Sequence, residues 1–195
     1  MPATLPPPCI LHGIPPELHG AAAALFWRHF GAQILPLPVG ARRGVALIRA
    51  AMQPQRALVA VSPSGRLVGM AGLRDATGGF LEPGTDSFVT VWGPLQGRLH
   101  HLATGLFRPG AETADLVLDG IAVHLQYRRQ GIARALITAA TTHARQLGHP
   151  ALLAEVEARN HGALAAWRAM GFQPQARQRL GWPWSAPAHV LRLTA

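Results

Sequence analysis

The sequence predicts an α/β domain, and three observations carry that prediction. Arg56 to Leu73 has the apolar pattern of strands, in two runs separated by Ser62-Pro63-Ser64-Gly65. From Leu116 to Phe172 an apolar run, a glycine-containing loop, a helical pattern, a second apolar run and a capped helical pattern follow one another. Ahead of both, Pro15–Phe30 and Arg42–Met52 repeat apolar residues at helical spacing. At 195 residues the chain is expected to form a single domain over 1–195, long enough to bury its own core.

Composition narrows the class. With 49% hydrophobic and 14% charged residues, the chain reads as compact rather than disordered. All 18 basic residues are arginine, against 9 acidic ones, for a formal charge of +9. Part of that excess fits a coding bias. The rest favours a polyanion, whether nucleic acid, acidic lipid or a phosphorylated cofactor. Cys9 is the only cysteine, so an internal disulfide and a cysteine-based zinc site are excluded. No helical run approaches the ~18–20 apolar residues that cross a bilayer. Residues 1–16 carry six prolines and no basic n-region, unlike a signal peptide. A cytoplasmic protein without a membrane partner is expected.

Residues 1–8 read as a loose, proline-rich tail, and Cys9–His12 as a short strand. Pro15-Pro16-Glu17 starts a helix, with Leu18, Ala21, Ala22, Leu25, Phe26 and His29 on one stripe, expected to end at Phe30 before Gly31. Gln33–Val39 is an irregular connection and Arg42–Met52 a second short helix. Ala57–Val61 and Arg66–Leu73 form a hairpin, followed by a glycine-rich loop over Asp75–Pro83. Phe88, Val91, Trp92, Leu95, Leu99, Leu102 and Leu106 predict a helical insertion over 84–110, broken at Gly93-Pro94.

Ala114–Val123 is apolar almost throughout, as a central strand should be. Ile132, Ala135, Leu136, Ala139, Ala140, His143 and Leu147 give the next helix a buried stripe, with Gly148 as its cap. Ala151–Glu157 is then a strand parallel to the previous one, because a helix crosses between them. Asn160 caps a short helix that Gly171 stops. Gln173–Leu180 and Ala188–Leu193 close the sheet around the turn Gly181-Trp182-Pro183-Trp184.

The most informative short motif is Arg128-Arg129-Gln130-Gly131-Ile132-Ala133. A glycine at a helix start lets backbone approach a ligand and leaves several N–H groups pointing outward, a site for a pyrophosphate. Arg128, Arg129 and Arg134 add positive charge. The same six residues also fit an ordinary turn with solvated arginines. GxxxxGK[ST] and GxGxxG are both absent, which disfavours a P-loop and a Rossmann NAD site.

In its context, this motif resembles the Arg/Gln-x-x-Gly-x-Gly/Ala motif of the GNAT superfamily of acetyl-CoA-dependent N-acetyltransferases. Asn160-x-x-Ala163-Leu164-x-x-Trp167-x-x-x-Gly171-Phe172, beginning 29 residues beyond Gly131, is similar to the family's second signature. The resemblance implies a mixed, mostly antiparallel seven-stranded sheet whose two central parallel strands splay apart, flanked by helices. It implies acetyl-CoA as the cofactor, with no metal. The pantetheine arm would lie against Ile121, Ala122 and Val123. Its pyrophosphate would lie on backbone from Arg128, Arg129, Gln130, Gly131, Ile132 and Ala133 with Arg134, and Asn160 would face it. The acceptor would be a small-molecule or peptide amine, with aromatic candidates in Phe26, Trp27, Phe30, the Gly78-Gly79-Phe80 loop, Trp182 and Trp184. Nucleic acid is disfavoured as a partner, since only the net charge argues for it, and a homodimer stays open.

Two positions depart from the family pattern. Leu125 replaces a frequent proline. Trp167 replaces the usual tyrosine, which protonates the departing thiolate, and an indole N–H is not a usable acid. Proton return then goes through water, or Trp167 only packs, or the protein is a weakly catalytic acyl-CoA-binding module. An amine acceptor with a pKa of ~10.4 is neutral in about one molecule in ~10³ at pH 7, a penalty of ~4–5 kcal/mol that a base can offset. Asp119 and Glu155 are the candidates, because a carboxylate within an apolar strand needs a reason. Their alternatives are a backbone-binding Asp119 and a Glu155 paired with Arg159 or Arg168.

Overall fold

The computed structural model describes residues 7–110 and 112–195, so most of the 1–8 tail lies outside the described residues. Strands β1 (Cys9–His12), β2 (Ala57–Val61), β3 (Leu67–Asp75), β4 (Gly78–Gly79), β5 (Leu116–Val123), β6 (Ala151–Glu157), β7 (Gln173–Gln178) and β8 (Ala188–Thr194) form one eight-stranded sheet. The order is β1-β2-β3-β5-β6-β8-β7, and every pairing but β5 with β6 is antiparallel. The strand beyond the seven expected is β4. Gly78 and Gly79 fold back on Asp75 and Arg74, where the sequence had read as plain loop.

Among the described residues, six α-helices accompany the sheet: α1 (His19–Ile34), α2 (Ala41–Ala51), α3 (Thr85–Trp92), α4 (Pro94–Ala103), α5 (Ile132–Gln146) and α6 (His161–Ala169). One face of the sheet packs Leu58, Leu73, Leu118, Leu152 and Leu191 against Ile132, Leu136, Ala140 and Ala144 of α5 and Leu164 of α6. The other packs Val59, Met70 and Ala122 against Ala22, Ala23, Leu25 and Phe26 of α1 and Ile48 of α2. A bidentate pair from Arg192 to the buried Asp115, at 2.8 and 3.0 Å, ties the entry of β5 to β8.

Helix α1 runs past Phe30, through Gly31, to Ile34. Gly31 is not a stop but a flat seat. A Cβ there would sit 2.7 Å from the Trp27 ring, and Gly44 of α2 presents an equally bare surface to the same ring. Trp27 is thus clamped between two glycines where the helices cross. Gly44→Val should therefore overpack the crossing and cost about 1–3 kcal/mol. A denaturant midpoint unchanged by the substitution would contradict that packing.

Helix α5 also corrects the sequence. Its buried set is Ile132, Leu136, Ile137, Ala140, Thr141 and Ala144, whereas Ala135 and Leu147 are exposed. Ile132 sets this rotation by filling the space beside Gly69, where a Cβ would lie 2.9 Å from its methyl. The i+4 ridge from Ile132 then follows it into the core. The Thr141 hydroxyl is satisfied by donating to the Ile137 carbonyl at 2.9 Å.

Two irregularities in β5 shape the centre of the sheet. Gly72 pairs with Gly120 but Leu73 with Leu118, so Asp119 is the extra residue of a bulge. Gly120 takes φ 132°, and a side chain there would strike the Phe30 ring. Pairing of β5 with β6 covers only Leu116–Leu118 against Leu152–Ala154. Beyond that point the parallel strands part, as the splayed arrangement requires.

Candidate active site

The opening of the splay is lined by the loop that follows β5. After a short turn over Leu125–Tyr127, Arg129 (φ 61°) and Gly131 (φ 79°) both adopt left-handed backbone, and α5 begins at Ile132. The first helical bond is donated by the Ala135 amide to the Gly131 carbonyl. Backbone N–H groups from Arg129 to Arg134 therefore find no acceptor among the described residues. That is a cluster of free donors at the positive end of a helix, the arrangement that holds a phosphate group. A cleft of about 320 Å³ opens beside it, lined by His29, Ile121, Val123 and Tyr127 and by Arg128, Arg129 and Gly131 to Arg134.

The expected coenzyme residues separate into two groups. Ile121 and Val123 line the cleft, with Arg128, Arg129, Gly131, Ile132, Ala133 and Arg134. Ala122 does not: it is 1% exposed and packs with the α1 core. The His124 amide donates to the Val68 carbonyl at 2.9 Å, so strand alternation turns the Ala122 amide toward β3 as well. The amides of Ile121 and Val123 are left on the free edge. Gln130 turns its side chain onto the Gln126 carbonyl at 3.3 Å. The Asn160 side chain accepts from the Ala163 amide at 3.1 Å, as a cap should, and lies outside the cleft lining.

Asp119 and Glu155 do come together, through a residue that the sequence reading passed over. Arg74, on β3, donates from Nε to Asp119 at 2.9 Å and from Nη2 to Glu155 at 3.4 Å. Glu155 is therefore held by Arg74 rather than by Arg159 or Arg168. Burial pushes the Asp119 carboxyl above its ordinary range, and the Arg74 guanidinium and the Phe80 amide offset this only in part. Burial likewise raises Glu155, opposed by Arg74 and reinforced by the Asp119 charge. Despite burial, the two carboxylates hold Arg74 above its ordinary value. With both ionised, this group of three carries one unbalanced negative charge beside the parting of the strands.

His29 is a second residue that the sequence did not flag. It reaches the cleft from α1, and its Nε2 is buried without a hydrogen-bond partner among the described residues. Burial first, then nearby Arg128, Arg28 and His124, hold its pKa below the ordinary histidine value, so the ring is neutral at neutral pH. Of the aromatic candidates, Phe30 covers Gly120 and Phe80 is fully buried, with its ring 5.0 Å from that of Phe26. Trp27 faces α2 instead, and buried Trp182 bonds the Gln33 carbonyl at 2.9 Å. Trp167 packs edge-on against Phe172 with ring centres 4.7 Å apart. No group of three potential metal ligands occurs among the described residues. Nor is any helix among them long and apolar enough to cross a membrane.

The model of the acetyltransferase (GNAT) family matches residues 24–172, and the chain belongs to that family of acyltransferases. Its fold is similar to that of an N-acetyltransferase from Staphylococcus aureus Mu50, with TM-score 0.73 and 18% identity over 95% of this chain and 100% of the other. A GCN5-related N-acetyltransferase from Kribbella flavida aligns with TM-score 0.60 and 17% identity over 96% and 97% of the two chains. The Salmonella typhimurium protein yncA, solved with its cofactor acetyl-CoA, aligns with TM-score 0.58 and 16% identity over 95% and 92%. No curated protein matches the chain at a significant level.

Proposed function

We infer that this chain transfers an acetyl group from acetyl-CoA directly to a primary amine of a small molecule or a peptide. One observation supports the reading: a half-buried carboxylate pair stands where the two parallel strands begin to part, and a loop of free amides follows the first of those strands. The loop suits a pyrophosphate and the carboxylate pair an ammonium group.

Acetyl-CoA supplies the acyl group in activated form, as a thioester. The residues of this chain do the rest. Amides from Arg129 to Arg134 hold the pyrophosphate, with Arg128, Arg129 and Arg134 around it. Ile121 and Val123 offer strand-edge groups to the arm, and the Val123 amide is the oxyanion donor, a role worth about 10²–10³ in rate. The excess negative charge of Asp119, Arg74 and Glu155 draws in the protonated acceptor. Asp119, whose burial holds its carboxyl above the ordinary range, accepts in its ionised form the proton that the amine must lose. Trp167 serves packing, so the departing thiolate takes its proton from water.

His29 belongs to the arm side of the site. A buried nitrogen without a partner costs about 1–3 kcal/mol, a debt that an amide of the pantetheine arm would settle. His29→Phe should therefore melt no lower than the parent while binding acetyl-CoA about 5–10-fold more weakly, one hydrogen bond's worth. Adenosine 3′,5′-bisphosphate, which lacks the arm, should bind both proteins alike. A fall in melting temperature with unchanged acetyl-CoA affinity would make His29 a packing residue only. The reading as a whole is tested by calorimetric titration with acetyl-CoA, which should show one site and a raised melting temperature. Absence of both would refute it.

A further inference from the structure

Helix α4 carries an apolar band that neither the sheet nor its neighbouring helices cover. Leu95, Leu99 and Leu102 are 75%, 60% and 76% exposed, and Leu106, at the end of the 3-10 turn Thr104–Leu106 that follows the helix, is 57% exposed. Their separations of four, three and four residues put them on one face, the spacing of a helix-pairing seam. The band runs on to exposed Phe107, whose ring meets buried Trp182 at 5.2 Å, and from there to exposed Trp184, stacked on Trp182 at 5.8 Å.

We propose that this band is the face through which two copies of the chain associate. Six large side chains exposed to this degree leave on the order of 600 Å² of apolar surface in water, the top of the ~300–600 Å² range typical of a monomer's largest patch. Laid against its own copy, the band removes about 1,200 Å², the lower edge of a stable interface. A two-fold contact presents the same patch from both sides, so a charge-poor band of leucine and aromatic rings is self-complementary.

The charge pattern argues against the other occupants. A helix that lies on a membrane carries a basic polar face, and a nucleic-acid face carries several phosphate contacts. Arg98 is the only arginine between Pro94 and Ala103. The rest of α4 is already engaged: Gly97 abuts Val89 of α3, His101 bonds Thr85 at 3.1 Å, and His100 packs on Trp92 at 4.6 Å. The pairing also reaches the site. Past Phe107 the chain bridges Arg108 to Gly181 and then brings Gly110 against the Glu155 carboxylate, so the band and the acceptor end share one segment.

Sedimentation equilibrium at micromolar concentration tests this. The unaltered chain should run at twice its 20.8 kDa mass, and a Leu99→Arg, Leu102→Arg variant at the single-chain mass with an unchanged circular dichroism spectrum. Hydrogen exchange on the unaltered chain gives the same test without a substitution: amides over 94–107 should slow as concentration rises into the paired range. A single chain at hundreds of micromolar overturns the proposal. So does a pair that survives both arginines, or a pair that leaves exchange over 94–107 unchanged. Flotation of a single-chain species with anionic vesicles would assign the band to a membrane surface instead.

Discussion

A Gly131→Glu variant is expected to lose acetyl-CoA binding by at least about a hundredfold, with no rise in melting temperature on adding the coenzyme. Two effects combine. Gly131 sits at φ 79°, where an L side chain costs about 1–2 kcal/mol. The glutamate also brings a negative charge into a cluster of amide donors suited to an anion. A Cβ at Gly131 meets nothing within 4 Å, so the fold itself should tolerate the change. Gly131→Ala is the matched control: it carries the backbone strain without the charge and should lose far less. Calorimetry on the three proteins gives the comparison. Normal affinity in the glutamate variant would mean that the pyrophosphate lies elsewhere.

The next largest effect is expected in turnover. Asp119→Asn keeps the shape of the side chain but removes its ability to take a proton, and kcat should fall about 10²–10⁴-fold. KM for acetyl-CoA should hardly move, because Asp119 contacts Arg74 and Phe80 rather than the loop. The pH dependence has a definite sign. A carboxylate base works only when ionised, so kcat/KM of the parent falls as pH drops through the Asp119 pKa. Burial has moved that point above the ordinary carboxylate range. The variant should lack this limb and keep only the titration of the amine itself. An unchanged profile would transfer the role to Glu155 or to water.

Much of this site was legible because its signals are local. Gly131 at a helix start, Asn160 three residues before the amide it caps, and the apolar runs on either side each declare themselves within a few residues. Asp119-Gly120 was visible as a charge and a glycine within an apolar strand, although the bulge itself needs the register of β3 against β5. Arg74 was not, because its part depends on the register of β3 against β5 and on a strand more than 80 residues away, at Glu155. An arginine at the end of the apolar run Leu67–Leu73 was the only trace of it. His29 looked like one more residue of a helical stripe, and only the crossing of α1 over the free edge of β5 makes it part of a cleft. Gly31 misled for a related reason. Read alone it stops a helix, but beside Trp27 and Gly44 it permits a crossing.

The central claim, direct acetyl transfer to an amine, is tested most directly by mass spectrometry of the acceptor alongside thiol release. The protein would be incubated with acetyl-CoA and a panel of polyamines, aminoglycosides, amino acids and peptides. The expected result is at least one acceptor acetylated on nitrogen, in step with the CoA released, with both signals lost in Asp119→Asn. Thiol release with no acetylated amine, or equal turnover in Asp119→Asn, would contradict the account.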